Sequence, residues 1–354
     1  MRTFGKFTRV HALTAVGALC LALAGCADDS SANSGSTGAN EAAKGDTVTI
    51  MVGGLDKVVY LPMMLTERLG YFQQEGVSVK LLTEPAGVQA ATALVSGDVQ
   101  GAVGFYDHTL DLQAKGKQVE SVVQLGQTPG EVEVVSNKAA GKLTSPKDFK
   151  GKKLGVTGLG SSTDFLTKYL AVKHGVNTSE FTPVAVGAGQ TFISALQKGS
   201  IDGGMTGDPT VGQILAKNAG KVILDMRSPD GSRAALGGLY PSSSLYMNTS
   251  WVDGHKETVQ KLVNALVKGL KWISQHKAEQ IAAKMPPDYA KGGGKELYVQ
   301  AVANTLPMFT KDGVMPEGGP QTVYEVLKSF NPALKDTKVD LAKTYTTEFV
   351  KKAG

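Results

Sequence analysis

Ala93-Leu94-Val95-Ser96-Gly97-Asp98-Val99-Gln100-Gly101 is echoed further along by Ala195-Leu196-Gln197-Lys198-Gly199-Ser200-Ile201-Asp202-Gly203. In both stretches a helical pattern ends at glycine, turns tightly and passes into a short strand that runs to a loop. The loops are Phe105-Tyr106-Asp107-His108 and Gly207-Asp208-Pro209-Thr210. Any helix–glycine–strand unit shares some of this pattern. The sharper reading is two similarly wound halves that offer equivalent loops to one cleft. In open α/β sheets ligands bind beyond the carboxyl ends of the strands, where both loops fall.

Outward from the repeat, short apolar runs alternate with amphipathic stretches, the pattern of mainly parallel sheets flanked by helices. Strands are expected over 47–52, 77–82, 99–103, 118–125, 131–136, 153–157, 181–185, 203–206 and 222–224, with an extended return at 240–248. Helices are expected over 61–75, 86–96, 107–115, 161–174, 190–198 and 209–217. The remainder reads as helical over 256–275, 279–284, 296–306, 321–330 and 341–351.

The beginning of the chain reads differently. Arg2, Lys6 and Arg9 precede an apolar run from Ala12 to Ala24, only about half the roughly 20 residues that span a bilayer. Leu23-Ala24-Gly25-Cys26 resembles the lipobox of bacterial lipoproteins, which implies cleavage after residue 25 and lipidation of Cys26. An ordinary secretory signal is the plainer alternative. Residues 27–45 are almost all Ser, Gly, Asn, Ala and charged residues with no large apolar side chain, so a flexible tether is expected there. Both cysteines, Cys20 and Cys26, precede the body, which excludes disulfides, thiol chemistry and Cys-ligated metals within it. Residues 1–25 hold three basic and no acidic residues, so their loss takes the formal charge from +5 to +2. That balance gives no support to a nucleic-acid partner.

Four stretches, two of them within the repeat, carry a family resemblance. They are Tyr60-Leu61-Pro62 with Arg68-Leu69-Gly70-Tyr71-Phe72 and Glu75-Gly76-Val77, Ala93-Leu94 with Ser96-Gly97-Asp98-Val99, the run from Lys147 to Val156 with Gly160-Ser161-Ser162, and Ala195-Leu196 with Gly199, Ile201-Asp202 and Asp208-Pro209. Together they resemble the solute-binding proteins of nitrate, sulfonate, taurine and thiamine-pyrimidine importers, over residues 47 to about 250. The resemblance implies a two-lobed periplasmic-binding-protein-like fold of type II, with two crossing hinge segments and closure on ligand. It places lobe 1 at 46–134 plus about 246–354 and lobe 2 at about 135–245. It also implies a monomer, lipid-anchored on the extracytoplasmic face, that delivers cargo to an ABC permease and its ATPase.

Candidate ligand contacts follow from the loops. Gly160, Ser161, Ser162 and Thr163 open a helix after a strand, so they read either as plain caps or as an oxyanion site. Phe105, Tyr106 and His108 read as a pocket wall with a polar handle, or in part as core. Tyr60 overhangs the same cleft, Gln127 lies near the first crossing, and Asp208 either accepts from a ligand or caps the helix begun by Pro209. After Cys26 only Arg68, Arg227 and Arg233 remain, and Arg233, near the second crossing, is the candidate guanidinium clamp for an anion. If it faces solvent, neutral dipoles and an aromatic ligand are favoured instead.

No nucleophile triad, metal spacing or phosphate loop is present, and no cofactor or metal is expected. The thiamine-type synthases of this fold resemble the chain but carry a cysteine-rich motif absent here. The sequence therefore points to a binding protein rather than an enzyme. Its ligands rank as a small organic anion (a sulfonate or aromatic carboxylate), then nitrate or bicarbonate, then a pyrimidine-like heterocycle. An enzyme of thiamine-pyrimidine or related metabolism, and a receptor-coupled sensor, are the alternatives.

Overall fold

The computed structural model describes residues 47–353. The leader, Cys26 and the tether lie outside them. Among the described residues there are ten strands: β1 (Val48–Val52), β2 (Val79–Thr83), β3 (Gly101–Phe105), β4 (Val119–Gln124), β5 (Glu131–Ser136), β6 (Lys153–Val156), β7 (Thr182–Ala185), β8 (Gly203–Gly207), β9 (Gly220–Asp225) and β10 (Ser243–Asn248). They form two five-stranded sheets, ordered β2-β1-β3-β10-β4 and β7-β6-β8-β5-β9. In the first, β1 runs parallel to β2 and β3, and β10 is antiparallel to β3 and β4. The second repeats this, with β6 parallel to β7 and β8, and β5 antiparallel to β8 and β9. Each antiparallel strand has just crossed from the other sheet. The chain changes sheet between Gln124 and Glu131, and returns between Asp225 and Ser243.

The repeat occupies matching places. Gly97 and Gly199 close the helices Gly87–Ser96 and Gln190–Lys198 at φ 84° and 77°, where a side chain would be strained. The strands that follow, β3 and β8, each stand third in their sheets. Equivalent loops therefore do leave equivalent strands.

Packing follows from the patterning. Val132 and Val134 of β5 point to a cluster with Phe192, Ile193, Leu196, Val211 and Ile214, from the helices Gln190–Lys198 and Thr210–Ala216. The helix Lys256–Gln275 buries Val259, Leu262, Val263, Leu266, Leu270 and Ile273 along one stripe. Its Gly269 lies so close to Thr66 of the helix Leu61–Arg68 that a Cβ would overlap the Thr66 hydroxyl.

Three stretches differ from expectation. The helix expected at 61–75 breaks into Leu61–Arg68 and Tyr71–Gln74, because Gly70 adopts a left-handed conformation at φ 71°. The segment expected to be helical at 341–351 holds only the short turns Leu341–Lys343 and Val350–Lys352. Between them Thr344 and Thr346 hydrogen-bond to the Ser121 backbone on the edge of β4. β-Branched residues suit that pairing better than a helix. Between β9 and β10, where no helix was expected, the chain forms the helix Pro229–Leu236, whose Ser228 hydroxyl accepts from Gly231 N at 3.1 Å.

One polar group in the second sheet carries a cost. Glu133 shares a face with Glu131, sits in register with Met205 and Leu224, and is wholly buried with neither carboxylate oxygen partnered. Burial alone lifts its pKa well above the ordinary carboxyl range. Below that range both the folded and unfolded chains are protonated and no penalty exists. As pH rises, the unfolded chain releases its proton first, so folding weakens until the raised value is passed. Glu133→Gln is therefore expected to gain melting temperature over the parent as pH rises from 5 to 8. A difference independent of pH contradicts this.

Candidate functional site

The loops at the carboxyl ends of the parallel strands meet across the joint between the sheets. Val58 N donates to Asp208 O at 3.0 Å, and Val88 N to Ser161 Oγ at 3.4 Å. Asp107, which opens the helix Asp107–Ala114, is fully buried. Its Oδ1 accepts from Ser162 Oγ in the second half, and its Oδ2 from Tyr240 OH on the second crossing, both at 2.8 Å. Burial raises the Asp107 pKa, opposed by neighbouring His108 and by these two hydrogen bonds.

Beside this bridge lies a group of uncommitted polar atoms. His108 is 2% exposed, with its Nδ1 3.9 Å from Asp107 Oδ1 and its Nε2 without a partner among the described residues. The Tyr246 hydroxyl is also buried and unpartnered. A Cβ on Gly87 would stand 2.7 Å from His108 Nε2 and 3.7 Å from Tyr60 OH, and one on Gly104 would stand 2.8 Å from Tyr246 OH. Glycine at both positions thus leaves room for three polar tips, from the turn that follows β1, the helix that follows β3 and the middle of β10. Phe105 and Phe165 add aromatic walls: Phe105 meets Tyr60 edge-on at 6.3 Å, and Phe165 meets His108 at 5.9 Å. Buried polar atoms without partners are rare and mark a place for a ligand or water.

At the rim is a cavity of about 490 Å³, lined from the first half by residues including Asp56, Lys57 and Glu84, and from the second by Val186, Gly187 and Thr191. Its charged lining is two acids against one lysine, a poor entrance for an anion.

The expected site residues separate into groups. Tyr60, Phe105 and His108 converge as described. Tyr106 does not join them. It is buried, its hydroxyl pairs with Thr344 and its ring meets Tyr345, so it points to the edge of β4. Gln127 donates to the carbonyls of Pro307 and Phe309 at 3.3 and 3.4 Å and lines a separate cavity of about 340 Å³. In the Gly160–Thr163 loop, Gly160 has φ 80° and gives its N–H to Asp164 at 2.8 Å. Ser161 and Ser162 reach across to the first half, and Thr163 Oγ1 accepts from Thr157 N at 3.0 Å. The first turn already holds the Asp164 carboxylate, which weakens the helix end as an oxyanion site. Asp208 caps the helix Thr210–Ala216 by accepting from Gly212 N at 3.1 Å, and is held by Arg227 at 2.8 Å. Arg233 is half-exposed on Pro229–Leu236 beside Asp230 and is no clamp in the cleft.

The guanidinium that does reach the Asp208 loop is Arg227, in a structural role. It forks onto Asp225 and reaches Asp208, and the spacing Asp225-Met226-Arg227 was its only signal. Lys57 and Glu131 were also missed as site residues. The alternation Glu131-Val132-Glu133-Val134 does place both acids on one face, but not against Lys57.

The family model described as NMT1/THI5 like matches residues 58–280. The chain belongs to the NMT1/THI5-like family. Among curated relatives, this NMT1/THI5-like chain is 33% identical over 147 residues to a 4-amino-5-hydroxymethyl-2-methylpyrimidine phosphate synthase of Schizosaccharomyces pombe, covering 41% of the chain and 40% of the relative. It is 28% identical over 238 residues to the Saccharomyces cerevisiae synthase of the same name, THI13, covering 64% of the chain and 67% of the relative. The chain thus spans less than half the length of the first relative and about two thirds of the second.

Among solved structures, a protein from Bordetella bronchiseptica RB50 is 34% identical with TM-score 0.83, covering 87% of this chain and 96% of that one. The alkanesulfonate-binding protein SsuA from Xanthomonas axonopodis pv. citri is 17% identical with TM-score 0.69, covering 85% and 98%. The periplasmic nitrate-binding protein NrtA from Synechocystis PCC 6803 is 14% identical with TM-score 0.68, covering 87% and 88%. The last two establish the fold alone, that of periplasmic binding proteins. The curated relatives correct one expectation. Reading the chain as something other than an enzyme gives way, since both are named as synthases.

Removing the Asp107 carboxylate strands two buried hydroxyls. Asp107→Ala is expected to cost about 1–3 kcal/mol, a drop of several degrees in Tm by calorimetry, and Asp107→Asn less. An unchanged Tm in both would show that the bridge contributes nothing.

Proposed function

We propose that the cleft holds a pyrimidine-type heterocycle and that the chain acts in thiamine-pyrimidine metabolism. The observation that carries this is the set of buried, unpartnered polar atoms, His108 Nε2 and Tyr246 OH, between aromatic walls, with no guanidinium beside them. Arg68 bonds the Lys284 carbonyl, Arg227 is held by two aspartates, and Arg233 faces solvent. A sulfonate, carboxylate or nitrate would enter past Asp56 and Glu84 and find no fork to grip it. A flat ring with polar edges meets stacking surfaces and matched hydrogen bonds.

The reading that the curated relatives favour is an enzyme producing or processing such a pyrimidine. Capture and delivery to an ABC permease and its ATPase is the second. The binding proteins sharing the fold and the lipobox-like Leu23-Ala24-Gly25-Cys26 favour it. It places a monomeric body on the extracytoplasmic face, tethered through lipidated Cys26.

Titration calorimetry on the full chain tests the shared claim. 4-Amino-5-hydroxymethyl-2-methylpyrimidine is expected to bind, and an alkanesulfonate and nitrate are not. His108→Asn is expected to weaken the pyrimidine at least about tenfold, near the worth of one buried hydrogen bond. Binding of the anions in place of the pyrimidine overturns the proposal. Formation of the pyrimidine phosphate above a heat-killed control supports the enzyme. Recovery of bound pyrimidine unchanged, with membrane association lost in Cys26→Ser, supports delivery.

A further inference from the structure

Lys57, half-buried, and Glu131, buried, are opposite charges on segments that meet: Val58 N donates to Asp208 O, and Gly207 beside Asp208 pairs with Glu131, yet no ion pair joins the two and each is left incomplete. Lys57 Nζ donates to the carbonyls of Gly53 and Pro85, both at 2.7 Å, which uses two of its three N–H groups. Glu131 is 4% exposed, and its Oε2 has no partner among the described residues. Backbone pairing fixes where the residue stands, and the carboxylate lies against Gly207. Glu131 O accepts from Met226 N at 3.0 Å, and Gly207 stands opposite in the ladder, where a Cβ would come 3.0 Å from Oε2. Burial lowers the Lys57 ammonium and raises the Glu131 carboxyl, and each group opposes the other's shift. Lys57 lines the rim cavity, and Glu131 lies inward of it at the start of β5. A group inserted between them that accepts on one side and donates on the other completes both.

Resting on the pyrimidine reading, we propose that this pair selects an amino-substituted ring. A ring nitrogen accepts from Lys57 Nζ, and the adjacent exocyclic amino group donates to Glu131 Oε2. The corresponding oxo ring presents the reverse edge, N–H beside C=O. It sets a carbonyl against the carboxylate and a donor against the ammonium. Misplaced buried polar groups of this kind discriminate strongly between analogues.

Calorimetry with 4-amino-2-methylpyrimidine and 2-methylpyrimidin-4-one on the full chain decides it. The parent is expected to prefer the amino ring by at least about thirtyfold. Glu131→Gln, whose amide both donates and accepts, is expected to reduce the preference to below about fivefold. Where Glu131→Gln does not fold, Lys57→Met carries the test, with the same loss of preference expected. If the parent binds neither ring, the pyrimidine reading itself falls. If it binds both rings equally, or the variants keep the preference, this inference alone falls.

Discussion

A buried carboxylate must be neutralised or fully hydrogen-bonded, and Asp107 meets that demand only with the two halves together. One of its oxygens is satisfied from the second half by Ser162, the other from the crossing by Tyr240. The constraint orders what surrounds it. The helix that Asp107 opens also carries His108, so the contact that joins the halves fixes the imidazole in the joint. Gly87 and Gly104 are needed because larger residues would meet the tips of His108 and Tyr246. Separating the halves must break the Asp107–Ser162 and Val58–Asp208 contacts together, which gives any opening motion a defined cost.

The C-terminal third is wired into both halves. Thr305, at the end of the helix Lys295–Thr305, donates to Asp208 in the second half at 3.3 Å. Thr344 pairs with Tyr106 in the first. Gln127 on the first crossing is pinned to Pro307 and Phe309. The polar tips in the cleft are thereby backed by rigid elements, the arrangement that lets a site recognise a small, flat ligand.

Local grammar in the sequence carried most of the fold. The glycine C-caps at Gly97 and Gly199, the alternation in β5 and the stripe of Lys256–Gln275 depend on neighbours in the chain and could be read from them. Helical pattern failed at 341–351, where pairing with β4, far off in sequence, decided the conformation. The site followed the same division. Strand-end position drew attention to Tyr60 and His108, which the fold brings close to one another through Gly87. The direction of Tyr106, the capture of Arg227 by Asp208 and the approach of the Lys57 loop to the start of β5 arise from contacts between distant segments, which no local pattern encodes.

The account turns on where a ring sits. A crystal structure of the full chain grown with 4-amino-5-hydroxymethyl-2-methylpyrimidine tests it most directly. Ring density between the halves, within hydrogen-bond reach of His108 Nε2 and against Phe165, is the predicted result. Density confined to the cavity beside Gln127, or on the outer surface, would contradict it.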